Sequence, residues 1–206
     1  MANWITLSRI LITFLSLYFL FIGTTEAMIT AVSLLVLQFI LDGVDGYVAR
    51  KFHEESKLGA ALDIMSDRIA ENAYWISFAV LGWISVSFPI IILTRTIIVD
   101  CLRSAAMAKG YTAFGKDSMQ KDPVGQFICC SKFMRILFAV MKMLAFILLV
   151  IAYIPSLNIF AACLINVAGC VCAVAAVMLC VLRGLPVIFE SKELFVEEKT
   201  EEAKAE

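Results

Sequence analysis

The chain has 206 residues, of which 62% are hydrophobic and 17% are charged, and its formal net charge is −1. A mean hydropathy of +0.91 excludes a soluble domain and indicates a membrane protein with several spanning segments. The sequence contains no P-loop, no G-x-S-x-G and no glycine-rich dinucleotide fingerprint, which argues against those enzyme classes. No nucleic-acid partner is expected.

The fold class is predicted to be all-α, with six transmembrane helices. The apolar runs that predict them cover residues 10–23, 27–49, 59–82, 86–108, 128–154 and 157–182. Before the first run, Trp4 predicts a short interfacial N-terminal segment, because Trp commonly lies at the level of the lipid headgroups. This segment lacks the basic region of a signal peptide, so we expect no cleavage there.

Charge patterning predicts the domain division and the orientation in the membrane. Residues 1–188 should form one membrane domain, and residues 189–206 a charged, solvated and partly disordered tail. Lys and Arg are absent from the connections at 24–26, 83–87 and 153–158 and cluster at the opposite helix ends. By the positive-inside rule, we expect a multi-pass protein with both termini in the cytoplasm.

Four aspartates lie where the second and third predicted spans meet, at the end that we expect to face the cytoplasm. Asp42 and Asp45 are three residues apart, and Asp63 and Asp67 are four apart, so each pair shares a helix face. Four like charges at membrane depth require a counter-charge. Hard divalent cations prefer oxygen ligands, and the spacing therefore predicts a metal site.

The complete pattern from Asp42 to Asp67 is D-x2-D-G-x2-A-R-x8-G-x3-D-x3-D. Its eight fixed positions over 26 residues resemble the motif of the CDP-alcohol phosphatidyltransferase family, integral membrane enzymes of phospholipid synthesis. The resemblance implies a two-metal site for Mg²⁺ or Mn²⁺, with Asp42, Asp45 and Asp63 holding one ion and Asp63 and Asp67 sharing a second. It also implies that Asp67 is the general base for the acceptor hydroxyl.

The same resemblance implies a set of residues that bind the CDP-lipid. They are Asn3, Thr6, Gly46, Ala49, Arg50, Ser56 and Gly59. Gly46 would let a phosphate approach the backbone, and the planar guanidinium group of Arg50 suits phosphate oxygens. Asn3 and Thr6 belong to a segment, ending at Arg9, that resembles the N-x-x-T-x-x-R start of many relatives.

Simpler interpretations of several of these residues stay open at this point. Gly59 also suits close helix packing, and Ser56 also suits a solvated loop. Arg50 can be a cation at the membrane edge that extends toward the headgroups, and Thr6 can cap the first helix.

Further arginines bear on the acceptor. The run from Arg95 to Arg103 resembles R-E-I-x-x-x-x-L-R of the phosphatidylglycerophosphate synthase branch, and with Arg68 it would bind a phosphorylated acceptor such as glycerol 3-phosphate. Thr96 replaces the glutamate of that run, which leaves acceptors of the inositol phosphate, serine and amino alcohol types open. Alternatively, the arginines form structural ion pairs with Glu71 and Asp100.

The resemblance implies an enzyme that transfers a phosphatidyl group from CDP-diacylglycerol to a polyol hydroxyl, releasing CMP. Its partners would be CDP-diacylglycerol, the polyol acceptor and membrane lipids, and the resemblance alone implies a homodimer. A divalent-cation transporter is the competing class, because transporters also carry intramembrane carboxylates. Against a transporter, Gly46 and Arg50 serve no purpose in ion conduction, and no inverted repeat of the acidic pairs occurs.

Overall fold

The computed structural model describes the backbone of residues 2–51, 57–108 and 123–205. Side chains are described at residues 6–43, 59, 61–106, 125, 127–129, 131–189 and 191. Over the described backbone there are helices and no strands, which confirms the all-α class. The helices are α1 (Ala2–Ile22), α2 (Thr25–Lys51), α3 (Lys57–Val80), α4 (Ser87–Ala108), α5 (Pro123–Cys130), α6 (Lys132–Ala152) and α7 (Ile159–Ala205).

The chain divides into two compact units. Unit 1 comprises Met1–Pro89 and Lys142–Ala173, and unit 2 comprises Ile90–Met141 and Val174–Glu206. In unit 1, α1 packs against both α2 and α3. The reversal from α1 to α2 needs only two residues because Gly23 adopts a left-handed backbone conformation, with φ of 73°, which other residues rarely adopt.

Helix α1 buries polar residues along most of its length, with Leu17 and Leu20 buried near its end, and it exposes large apolar side chains. Its buried polar residues recur every three or four positions, which places them on one side of the helix; they are Thr6, Arg9, Thr13 and Ser16. Ser16 Oγ donates a hydrogen bond of 2.9 Å to the backbone oxygen of Ala31 in α2. By contrast, Leu11 is 70% exposed and Tyr18 is 63% exposed. A helix with polar residues inside and apolar residues outside is expected to face lipid.

An aromatic cluster fixes α3 against α6 in unit 1. The ring of Phe146 lies with its centroid 5.4 Å from that of Tyr74, 4.9 Å from Trp75 and 5.3 Å from Phe78. All four side chains are buried, and aromatic pairs at these distances stabilise a core beyond the area that they bury. The cluster therefore holds the helix that carries Asp63 and Asp67.

Unit 2 has its own small apolar core, formed by α4, α5 and α7. Its buried members are Val99, Ala106, Cys129 and Val187, and Leu102 packs against them. This core packs α7 at Val187 against α4.

Three helical segments within the described residues are long and apolar enough to cross a membrane. They are Thr25–Gly43, Lys132–Ala152 and Ile159–Phe189, and Thr6–Ile22 is a shorter apolar helix. Length and composition thus agree with a membrane protein. Each of the six predicted spans overlaps a helix, but the six-span layout itself stays a prediction.

Two predicted boundaries differ from the structure. The N-terminal segment is not a separate element, because α1 runs without a break from Ala2 to Ile22. The fifth predicted span divides at Ser131, whose hydroxyl accepts a 3.2 Å hydrogen bond from the Phe133 amide and so caps α6. Helix α7 extends to Ala205 through the charged segment, whose many Glu, Lys and Ala residues favour helix, and the tail at 189–206 stays a prediction.

Candidate active site

Three carboxylates from two helices meet in unit 1. Asp42 lies near the end of α2, and Asp63 and Asp67 lie one turn apart on α3. One oxygen from each lies within 4.8 Å of the others. The three side chains are 46%, 50% and 47% exposed, so the cluster is accessible from outside the protein. Hard oxygen donors at this spacing fit a divalent cation.

A buried arginine contacts all three carboxylates. Arg9 Nη1 lies 2.8 Å from Asp63 Oδ1, and Nη2 lies 2.5 Å from Oδ1 of both Asp42 and Asp67. The Arg9 side chain is 3% exposed. Its charge and planar shape suit several carboxylate oxygens at once, so Arg9 joins α1 to α2 and α3 at the acidic cluster.

The sequence places Arg9 at the end of the N-x-x-T-x-x-R segment and among the basic residues expected at the cytoplasmic face. It does not predict the contact of Arg9 with the acidic cluster. A signal was present in the three- and four-residue spacing of Thr6, Arg9, Thr13 and Ser16, which marks one polar face on an otherwise apolar helix.

The start of α1 is also bonded to α3 through Thr6. The hydroxyl of Ser66 donates a 3.5 Å hydrogen bond to the backbone oxygen of Thr6, and both residues are buried. Ser66 directly precedes Asp67, so the structure brings the predicted lipid-binding residue Thr6 close to the acidic cluster. Gly59 is partly buried on α3, one turn before Asp63.

The remaining members of the predicted donor site fall where the structure describes no side chain. Asp45, Gly46, Ala49 and Arg50 lie on the helical backbone of α2, and Asn3 lies on α1. Ser56 lies outside the described residues altogether. The assignments of these six residues stay predictions.

A buried ion pair lies one turn beyond the acidic cluster on α3. Glu71 is 5% exposed, and its Oε2 accepts a 3.3 Å hydrogen bond from Lys142 Nζ of α6. Arg68 Nη1 lies 3.7 Å from the same oxygen. The sequence allows Glu71 to form an ion pair with Arg95 or Arg103. In the structure, Glu71 forms ion pairs with Lys142 and Arg68.

Unit 2 contains a group of arginines, which we call the arginine cluster: Arg95 and Arg103 of α4 and Arg183 of α7. The charge of Arg183 interacts with those of Arg95 and Arg103. Arg103 Nη2 lies 3.0 Å from Cys129 Sγ, and the Arg183 guanidinium group lies 5.7 Å from the centre of the Phe138 ring. Like charges held together in apolar surroundings are a suitable arrangement for an anion.

The approach of α7 to α4 at this cluster is close. A methyl group added at Gly184 would lie 2.7 Å from Arg95 Nε, closer than atoms normally approach. Arg183 was not among the predicted acceptor residues, because a single arginine on a distant helix has no spacing relation to the Arg95–Arg103 run.

The family of the protein follows from comparison with known sequences. A family model described as CDP-alcohol phosphatidyltransferase matches residues 1–178. The chain therefore belongs to the CDP-alcohol phosphatidyltransferase family, which confirms the resemblance of the aspartate motif. The alternative of a divalent-cation transporter gains no support.

Two curated relatives have the same name, CDP-diacylglycerol–glycerol-3-phosphate 3-phosphatidyltransferase. The one from Mycoplasma genitalium is 27% identical over 125 residues, which cover 52% of this chain and 53% of the relative. The one from Mycoplasma pneumoniae is 27% identical over 127 residues, which cover 53% and 56%. The chain spans about half the length of the curated relatives that it matches.

Proposed function

We propose that the protein transfers a phosphatidyl group from CDP-diacylglycerol to glycerol 3-phosphate and releases CMP. The observation that carries this proposal is the meeting of Asp42, Asp63 and Asp67 in the spacing of the family motif. The names of the two relatives favour glycerol 3-phosphate over the other acceptors.

In the proposed donor site, Asp42, Asp45, Asp63 and Asp67 hold two divalent cations, Mg²⁺ or Mn²⁺. When bound, such ions offset the charge of the pyrophosphate and stabilise the oxygens that attack and leave. Asp67 accepts the proton of the acceptor hydroxyl as that oxygen bonds to the phosphorus carrying diacylglycerol, and CMP leaves. Arg50 and the small residues Gly46 and Ala49 bind the nucleotide, together with the remaining predicted residues Asn3, Thr6, Ser56 and Gly59.

In the proposed acceptor site, the arginine cluster binds the phosphate of glycerol 3-phosphate. Arg183 joins Arg95 and Arg103 in this role because its charge lies near theirs, and its buried Nε has no hydrogen-bond partner among the described residues. Arg68 is the remaining predicted acceptor residue. It belongs to unit 1, where its contact with Glu71 suits a structural role.

The membrane arrangement is part of the same proposal. Six spans place both termini and the aspartate motif on the cytoplasmic side, and the chain forms a homodimer. The asymmetric distribution of Lys and Arg supports this orientation. Residues 1–188 form the membrane domain, and residues 189–206 form a charged cytoplasmic extension.

A panel of acceptors tests the reaction. Purified protein is incubated with CDP-diacylglycerol, Mg²⁺ and labelled glycerol 3-phosphate, inositol phosphate or serine, and the labelled lipid is counted. We expect labelled lipid from glycerol 3-phosphate and little from the others. Preferential labelling from serine or inositol phosphate would contradict the acceptor, and no labelling from any acceptor would contradict the reaction.

A further inference from the structure

Arg9 contacts the carboxylate oxygens that a divalent cation would need. Its two terminal nitrogens lie within hydrogen-bond distance of Oδ1 of Asp42, Asp63 and Asp67. The carboxylates are about half-exposed, whereas the Arg9 side chain is buried. An ion arriving from outside therefore meets carboxylates that Arg9 already holds from the interior.

Charge balance distinguishes the two states of this cluster. Without metal, Arg9 offsets one of the three negative charges of Asp42, Asp63 and Asp67. The motif adds Asp45, so two divalent cations, as in the proposed function, would balance four carboxylates without Arg9. A guanidinium group that stayed among them would be an uncompensated positive charge beside two metal ions, and it would be repelled.

The hydrogen bonding of Arg9 is incomplete in its present position. Its Nε is buried and has no hydrogen-bond partner within the described part of the chain. A permanently buried arginine is expected to have its donors paired. Because Nε makes no such bond, movement of the side chain away from the carboxylates breaks only the contacts of the two terminal nitrogens.

We infer that Arg9 is an exchangeable counter-ion of the metal site. In the metal-free protein it holds the three carboxylates together and prevents an uncompensated group of like charges. When Mg²⁺ or Mn²⁺ binds, Arg9 leaves the oxygens. Breaking the contacts between Arg9 and the carboxylates costs free energy. This cost lowers the apparent affinity for metal, since only the state without these contacts accepts the ions.

Metal binding in the absence of substrate tests this inference. Binding of Mn²⁺ to the purified chain in detergent is measured by electron paramagnetic resonance for the wild type, Arg9→Gln and Lys142→Gln. Lys142 bonds to Glu71 and interacts with Asp42 through its charge, so Lys142→Gln controls for a general loss of positive charge.

We expect Arg9→Gln to bind Mn²⁺ at least about tenfold more tightly than the wild type, because the competing cation is gone. Lys142→Gln should change the affinity by a much smaller factor. Unchanged or weaker binding in Arg9→Gln would overturn the inference, and so would an equal gain in Lys142→Gln.

A second variant covers the case in which Arg9→Gln does not fold. Arg9→Lys keeps the charge but loses the planar group that reaches several oxygens, so it should still bind Mn²⁺ more tightly than the wild type. An affinity equal to that of the wild type would overturn the inference. The inference rests on the proposed metal site, but its test needs no turnover. Failure to transfer phosphatidyl groups would therefore refute the reaction separately.

Discussion

In unit 1, three carboxylates surround a single guanidinium group, that of Arg9. In unit 2 the balance of charge is the opposite, because the arginines of α4 and α7 lie near one another and Asp100 is the one acidic residue with a described side chain there. A net charge of −1 conceals this separation. By its charge, the acidic cluster suits cations, whereas the arginine cluster suits an anion.

The largest effect should come from the acidic cluster. Asp67→Asn keeps an oxygen near the metal site but cannot accept the acceptor proton, so kcat should fall by roughly 10²–10⁴. The affinity for CDP-diacylglycerol should change little, and rates and lipid binding are measured on the same preparation. Restoration of kcat by high Mn²⁺ would show instead that Asp67 serves only as a metal ligand.

A matched test of the arginine cluster is Arg183→Gln, with Lys132→Gln as the control. Loss of one charged hydrogen bond to the acceptor phosphate should raise the KM for glycerol 3-phosphate roughly tenfold or more. Lys132 is exposed in the same unit, and its substitution should leave KM unchanged. Equal KM values for Arg183→Gln and the wild type would remove Arg183 from the acceptor site.

A smaller effect should follow from displacing Arg95 without removing its charge. In Gly184→Ala the new methyl group would meet Arg95, so the guanidinium group must shift and the KM for glycerol 3-phosphate should rise severalfold. Gly169→Ala is the control, because its methyl group would lie 3.2 Å from Leu149 in unit 1. Gly169→Ala should lower thermal stability and leave the KM unchanged. An unchanged KM in Gly184→Ala, or a raised KM in Gly169→Ala, would contradict the assignment of Arg95 to the acceptor site.

The smallest effect on activity is expected at the buried pair of Glu71 and Lys142, where a substitution should change stability instead. Glu71→Gln leaves Lys142 with a weaker partner in a buried position and should lower the free energy of unfolding by about 1–3 kcal/mol. Glu26→Gln, at an exposed position, should have almost no effect. Thermal unfolding in detergent measures both variants. If Glu71→Gln is as stable as Glu26→Gln, the buried pair contributes no net stability.

The sequence predicted the acidic cluster because periodicity within a helix fixes which side chains share a face. Asp63 and Asp67 are such a pair, and the structure places them with Asp42. The spacing of polar residues on α1 shows that Arg9 lies on a polar face, but it does not show which helix that face meets. For Arg183, a single arginine on α7, no spacing relates it to Arg95 and Arg103.

Element boundaries were predicted less well than element types. Hydropathy cannot detect the division between α5 and α6 at Ser131, because the cause is one capping hydroxyl within an apolar run. It also cannot show that α7 continues past its apolar part to Ala205, where charged residues that favour helix replace apolar ones.

The most direct test of the account is CMP release by the wild-type protein with glycerol 3-phosphate or glycerol as the acceptor, at increasing Mg²⁺. The two acceptors differ only in the phosphate that the arginine cluster is proposed to bind. We predict no release in excess EDTA, recovery with Mg²⁺, and much faster release with glycerol 3-phosphate than with glycerol at the same concentration. Release that continues in EDTA, or equal rates with the two acceptors, would contradict the account.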